Sequence, residues 1–161
     1  MIAGEGEATR KFDGTCCLIR AGRFYKRHEV KPGGTPPPDF EPANEIDGNT
    51  GKQQGSLPVG AGPEDRYHRE AFDRAAAEGA VPVDGTYELC GPKVQGNPEG
   101  RPGHELIRHG AVPLPDCPRE FDALRDYLRE RSYEGIVWHH PDGRMVKIKA
   151  RDFGFRPRPA E

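Results

Sequence analysis

Asp-Gly steps punctuate this chain beside short apolar and β-branched runs, a pattern that leaves room for strands but little for long helices. Asp13-Gly14 precedes Thr15-Cys16-Cys17-Leu18-Ile19, Asp84-Gly85 precedes Thr86-Tyr87-Glu88-Leu89-Cys90, and Asp142-Gly143 separates two further runs. β-Branched and aromatic residues suit strands, and Asp-Gly turns a chain tightly because Gly accepts φ > 0. With 21 Gly and 17 Pro in 161 residues, turns and loops take a large share. The length fits one domain. The expected fold is α+β: antiparallel sheets with a few flanking helices, as a single minimal domain over residues 1–161 with no C-terminal accessory domain.

Two helices are legible. Pro63, Glu64 and Asp65 start one at 64–79, and Gly79 ends it. Its buried face is expected to hold Tyr67, Phe72, Ala75 and Ala76, with His68 at the surface. The second spans 118–132, with Phe121, Leu124 and Leu128 as its apolar stripe. Residues 20–23 read as the turn of a hairpin leading into Phe24-Tyr25-Lys26-Arg27, with Lys26 and Arg27 on opposite faces. Residues 104–109 read as a strand. Residues 31–63 show neither period and read as a long loop, either a surface insertion or a flap. Residues 93–103 form another Gly/Pro loop, whose Lys93, Gln95 and Asn97 are polar enough to meet a substrate. Residues 1–7 and 154–161 are expected to be flexible.

The last hairpin makes the sharpest local claim. A two-residue turn at Asp142-Gly143 places Trp138 opposite Lys147, Ile136 opposite Lys149 and Glu134 opposite Arg151. Glu134, Ile136, Trp138, Lys147 and Lys149 then share one face, and Val137, Val146, Ile148 and Ala150 the core face. One acid and two lysines on a sheet suit a polyphosphate; the plainer alternative is an amphipathic hairpin with its polar side in water.

Net charge is −2, from 24 basic and 26 acidic residues. Nucleic-acid binders are often basic overall, so any nucleic-acid contact here must come from a local patch. Cys16, Cys17, Cys90 and Cys117 form no Cys-x-x-Cys pair, which argues against a structural zinc and for small buried hydrophobes in a reducing compartment. No signal peptide or bilayer-long apolar run is present. A cytoplasmic monomer with no membrane association is expected.

Lys11 stands two residues before Asp13, in Lys11-Phe12-Asp13-Gly14-Thr15. Alone, this is most simply a solvated turn. Three stretches follow in order: Tyr87-Glu88-Leu89-Cys90-Gly91-Pro92, Glu134-Gly135-Ile136-Val137 and Lys147-Ile148-Lys149. The series resembles the covalent lysyl-nucleotidyltransferases, the ATP-dependent ligases and capping enzymes. Its wording, including Gly91-Pro92-Lys93-Val94-Gln95-Gly96-Asn97-Pro98 and Glu134-Gly135-Ile136-Val137-Trp138-His139, is similar to ATP-dependent RNA ligases that join 5′-phosphate and 3′-hydroxyl ends.

The resemblance implies ATP as cofactor, with AMP carried covalently on Lys11, and Mg²⁺ or Mn²⁺. It implies catalytic roles for Lys11, Asp13, Lys147 and Lys149. Arg10, Arg27, Glu88, Ile136, Lys147 and Lys149 would bind the nucleotide, with Glu88 on the ribose and Ile136 on the adenine, and Glu134 would hold the metal. No aromatic residue lies between Cys90 and Glu120 to stack on the base. An ordinary lysine titrates near ~10.4, and the cationic neighbours Lys147 and Lys149 favour its reactive neutral form. The expected partner is RNA with 5′-phosphate and 3′-hydroxyl ends, gripped through phosphates by the loops and by the tail arginines Arg151, Arg156 and Arg158. Alternatives are a DNA ligase or guanylyltransferase built on the same motifs, or a non-catalytic nucleotide- or RNA-binding remnant.

Overall fold

The computed structural model describes residues 4–79 and 82–156. Two antiparallel sheets carry the chain, so the α+β expectation is met. The smaller sheet has the order β1-β8-β9, with β1 Glu7–Lys11, β8 Gly135–His139 and β9 Met145–Lys149. The larger runs β4-β5-β3-β2-β6-β7, with β2 Thr15–Arg20, β3 Arg23–Val30, β4 Glu41–Pro42, β5 Gln53–Pro58, β6 Gly85–Cys90 and β7 Glu105–Arg108. The turn after Lys11 is therefore not a hairpin. It carries the chain from one sheet into the other. Gly14 is needed there for close approach, because a Cβ would lie 2.1 Å from the Leu89 carbonyl oxygen.

Helix α1, Arg66–Ala77, follows a short 3-10 turn at Pro63–Asp65. It packs on the larger sheet, where Ala71 joins Cys17, Ile19, Tyr87, Leu89 and Val94 in one core. Ala76 is exposed, contrary to expectation, and His68 is half-buried against the Phe24 ring. Helix α2, Phe121–Arg129, is shorter than its sequence suggests. Its Leu124 and Leu128 pack with Ile136 and Trp138 in a second core, but Phe121 is 61% exposed.

Residues 31–63 are not one loop. β5 pairs with β3 from Tyr25↔Pro58 to Val30↔Gln53, extending the larger sheet. The β2–β3 connection is a two-residue turn at Ala21 and Gly22, both with positive φ, and the Asp84 carboxylate accepts both of their N–H groups. Among the residues expected to be flexible, Glu7 begins β1, Arg119 donates to the Glu5 and Gly6 carbonyls, and Phe155 packs against the second core. Arg156 is exposed, and residues 157–161, including Arg158, lie outside the described residues.

The last hairpin differs from expectation by one residue. Its pairs are Gly135↔Lys149, Ile136↔Ile148, Val137↔Lys147, Trp138↔Val146 and His139↔Met145. The His140 N–H donates to the Arg144 carbonyl, which leaves a three-residue loop ending at Gly143 with φ +90°. That left-handed glycine adds the residue which shifts the register. A one-residue slip exchanges faces: Ile136 and Trp138 are core, 0% and 2% exposed, and Val137 shares the face of Lys147 and Lys149.

Candidate functional site

The site lies where the two sheets meet at the Lys11–Gly14 crossover. On the smaller sheet Lys11, Gly135 and Lys149 form one row across three strands. Gly135 has no side chain between them, and both amines reach Glu134, which immediately precedes β8. The Lys11 amine pairs with Glu134 Oε2, and the Lys149 amine pairs with Oε1 at 2.7 Å. The Lys11 Nζ also donates to its neighbour's carbonyl, Phe12 O, at 3.3 Å. Lys147 sits two positions before Lys149 on β9 and is exposed.

The larger sheet supplies Glu88 and Arg27. Cys16 pairs with Glu88 across β2 and β6, and Arg27 and Lys11 both act electrostatically on the Cys16 thiol. Glu88 is buried, and both of its oxygens are engaged. Oε1 accepts the Gly14 N–H at 3.1 Å, and Oε2 hydrogen-bonds with His109 Nε2 at 2.8 Å. His109 Nδ1 bonds the Thr86 hydroxyl at 2.9 Å. Arg27 is exposed and donates to Gln54 Oε1 at 2.9 Å. Lys26 takes the other face, paired with the buried Asp65 carboxylate.

The charges act on one another across the crossover. Burial pushes the Asp13 carboxyl above the usual aspartate range, Glu134 adds to this, and Lys11 and Lys149 oppose it. Burial also opposes ionisation of Glu134, but its bonds to Lys11 and Lys149 outweigh that and hold it below the usual glutamate range. Burial pushes the Cys90 thiol up to about 12, as expected for a small buried hydrophobe.

Lys11, Asp13, Glu88, Glu134 and Lys149 thus come together at the crossover, with Lys147 and Arg27 at the margin. Two residues stand elsewhere. Ile136 is buried under α2 on the opposite face, so Val137 is the apolar β8 residue on the lysine face. Arg10 also points away from Lys11, and its guanidinium pairs with Glu99 between the rings of Phe12 and Tyr133. Sequence reading missed Glu99 and His109, which reach the site only through pairings distant along the chain. Loop residue Asn97 is occupied locally, bonding the Arg101 N–H and carbonyl.

Among the described residues, no three His, Cys, Asp or Glu side chains are grouped as a metal site of their own. No helix among them is long and apolar enough to cross a membrane.

Residues 79–160 match the family model of RNA ligase 1, about half of the chain. RNA ligase 1 of Danio rerio is 35% identical over 83 residues, covering 46% of this chain and 26% of the relative. The RNA ligase 1 proteins of Pongo abelii and Mus musculus are each 36% identical over 88 residues, 47% of this chain and 27% of the relative. The matched stretch spans about a quarter of the length of these relatives. Glu88, Glu99, His109, Glu134, Lys147 and Lys149 fall inside the family match, whereas Lys11, Asp13 and Arg27 precede it. With the family match running through Glu88, Glu134 and both β9 lysines, the chain belongs to the RNA ligase 1 family.

Proposed function

We propose that this chain is an ATP-dependent RNA ligase that works through a lysyl-AMP intermediate. One observation carries the reading: the amine of Lys11 is held on the same carboxylate as that of Lys149, opposite Glu88 on the other sheet. In the first step the Lys11 amine, having lost its proton to solvent, bonds to the α-phosphorus of ATP. The bond from that phosphorus to the bridging oxygen breaks, and pyrophosphate leaves. In the second, an oxygen of an RNA 5′-phosphate bonds to the same phosphorus and the lysine nitrogen leaves. In the third, an RNA 3′-hydroxyl attacks the 5′-phosphate, releasing AMP and a proton. Covalent catalysis replaces one hard displacement by easier ones.

Lys149 and Lys147 place positive charge where the α-phosphate gains negative charge. Glu88 is the acceptor for a ribose hydroxyl, and Val137 is the apolar contact for the base. Arg27 reaches toward the phosphates from β3. A divalent cation suits this donor set. Mg²⁺ takes one or two carboxylates and keeps its waters, with the remainder coming from substrate phosphates. Glu134, with Asp13 beside it, would hold Mg²⁺ or Mn²⁺; when bound, the ion supplies positive charge at the phosphates.

Incubation with α-labelled ATP and the divalent ion, followed by denaturing electrophoresis, tests the reading. A labelled band is expected, and it should vanish in Lys11→Ala. Label from GTP alone would favour a guanylyltransferase, and no label in folded protein would favour a binding remnant. Sealing of nicked RNA should fall steeply with added salt, because phosphate contacts release counterions. Lysyl-AMP formation should be less sensitive. Faster sealing of all-DNA nicks would overturn the RNA assignment.

A further inference from the structure

Behind the crossover, on the side away from the lysine pair, lies a carboxylate that the reaction above does not use. The Glu99 side chain is only 3% exposed. Its Oε1 accepts the Asp13 N–H at 2.8 Å, and its Oε2 pairs with Arg10. The Arg10 guanidinium lies 4.4 Å from the Phe12 ring centroid and 4.5 Å from that of Tyr133. Arg10 and Phe12 flank Lys11 in the chain, and Tyr133 precedes Glu134. One buried ion pair therefore grips the residues on both sides of the lysine and the neighbour of the carboxylate that receives its amine.

The loop carrying Glu99 is built as a support. Successive turns bond Val94 N–H to Gly91 O, Asn97 N–H to Val94 O and Gly100 N–H to Asn97 O. Val94 anchors the loop in the core beneath α1. A buried ion pair is a poor source of stability compared with apolar packing, so its placement here points to geometry rather than to stability.

We propose that Glu99 is a positioning residue: through the Asp13 N–H and Arg10 it fixes the crossover so that the Lys11 amine is held for attack. This rests on the reading of Lys11 as the nucleophile. Small misplacements of a reacting group can cost on the order of 100-fold in rate.

The test uses the whole chain as wild type, Glu99→Ala and Glu99→Gln. Single-turnover labelling by ATP is measured alongside amide hydrogen exchange at Asp13. In Glu99→Ala the labelling rate at saturating ATP should fall about 10- to 100-fold, with the ATP concentration for half-saturation changed less than about 3-fold. Glu99→Gln keeps an oxygen for the Asp13 N–H and should fall between the two. Asp13 exchange should quicken at least about tenfold in Glu99→Ala, as expected when a buried bond is lost. A purely structural role would lower thermal stability without this ordering of rates. Wild-type rates in Glu99→Ala, or weakened ATP binding at an unchanged rate, would overturn the proposal. If Glu99→Ala does not fold, a wild-type rate in Glu99→Gln overturns it. If even the wild type takes no label, the nucleophile reading fails separately, and unchanged Asp13 exchange in the variants would show that Glu99 does not hold the turn either.

Discussion

Lys11 and Lys149 pair with the same residue, Gly135, from opposite edges of β8. Two ammonium groups share one carboxylate because the residue between them has no side chain and its predecessor is Glu134. A Cβ on Gly135 would lie 2.2 Å from the Ile148 carbonyl oxygen and 2.9 Å from Lys149 Cα. Gly135→Ala must therefore push β8 and β9 apart between the lysines. We expect a loss of about 1–3 kcal/mol in denaturant unfolding, as for overpacking elsewhere. Lysyl-AMP labelling should fall further than the loss of folded protein explains. Unchanged stability would contradict the register.

The one-residue shift in the last hairpin gives a paired test. Ile136→Ala should cost about 2–5 kcal/mol, because a wholly buried side chain is truncated. Val137→Ala should cost less than about 1.5 kcal/mol, since Val137 is only half-buried, yet weaken ATP binding more. Unfolding curves and ATP titrations of both variants check this. The reverse order would restore the face assignment implied by a two-residue turn.

Two carboxyls at the crossover should contribute to stability with opposite pH dependence. Glu134 is held below the usual glutamate value of 4.5, so its contribution to stability is fully present above that value and lost as pH falls through its folded-state pKa. The stability gap between wild type and Glu134→Gln should shrink on acidification. Asp13 is raised above 3.8 by burial and then by Glu134, so ionising it opposes folding as pH rises through its folded-state pKa. Asp13→Asn should be more stable than wild type at neutral pH while labelling more slowly. Thermal melts from pH 3 to 8 would show both trends; a pH-independent gap for either variant would contradict the charge arrangement.

The Lys26–Asp65 pair offers a stability control away from the chemistry. Asp65 is 2% exposed and also accepts the Gly60 N–H at 2.7 Å. Lys26→Met would leave a buried carboxylate without its countercharge, at a cost of about 3–5 kcal/mol. Labelling per folded molecule should be unchanged, because Lys26 faces α1 and Lys11 does not. A selective loss of labelling would place Lys26 in the site.

What the sequence made legible was local. Pro63, the acids after it and Gly79 mark the first helix, and the Asp-Gly steps mark where β2 and β6 begin. Lys11, Glu88, Glu134 and the two β9 lysines stand out because their motifs follow in order. β5 was illegible because Gln53–Pro58 has no alternating pattern; Gly55 is there because the Phe40 ring and the Glu41 carbonyl leave no room for a Cβ. The hairpin register turned on whether Pro141-Asp142-Gly143 spends two residues or three in its loop, and one residue exchanged Ile136 for Val137. Glu99 carried no local signal, since its partners lie 86 and 89 residues away.

β1 has its strand partner 128 residues further along, at the Thr9–Val137 pairing. The order of synthesis therefore matters to this molecule. β2, β3, β5, β6 and β7 have their mutual partners once residue 108 has been made. β1 waits beside them without its own sheet. Lys11 meets neither Glu134 nor Lys149 until the last hairpin emerges, so the carboxylate that holds its amine is made 123 residues after the lysine itself.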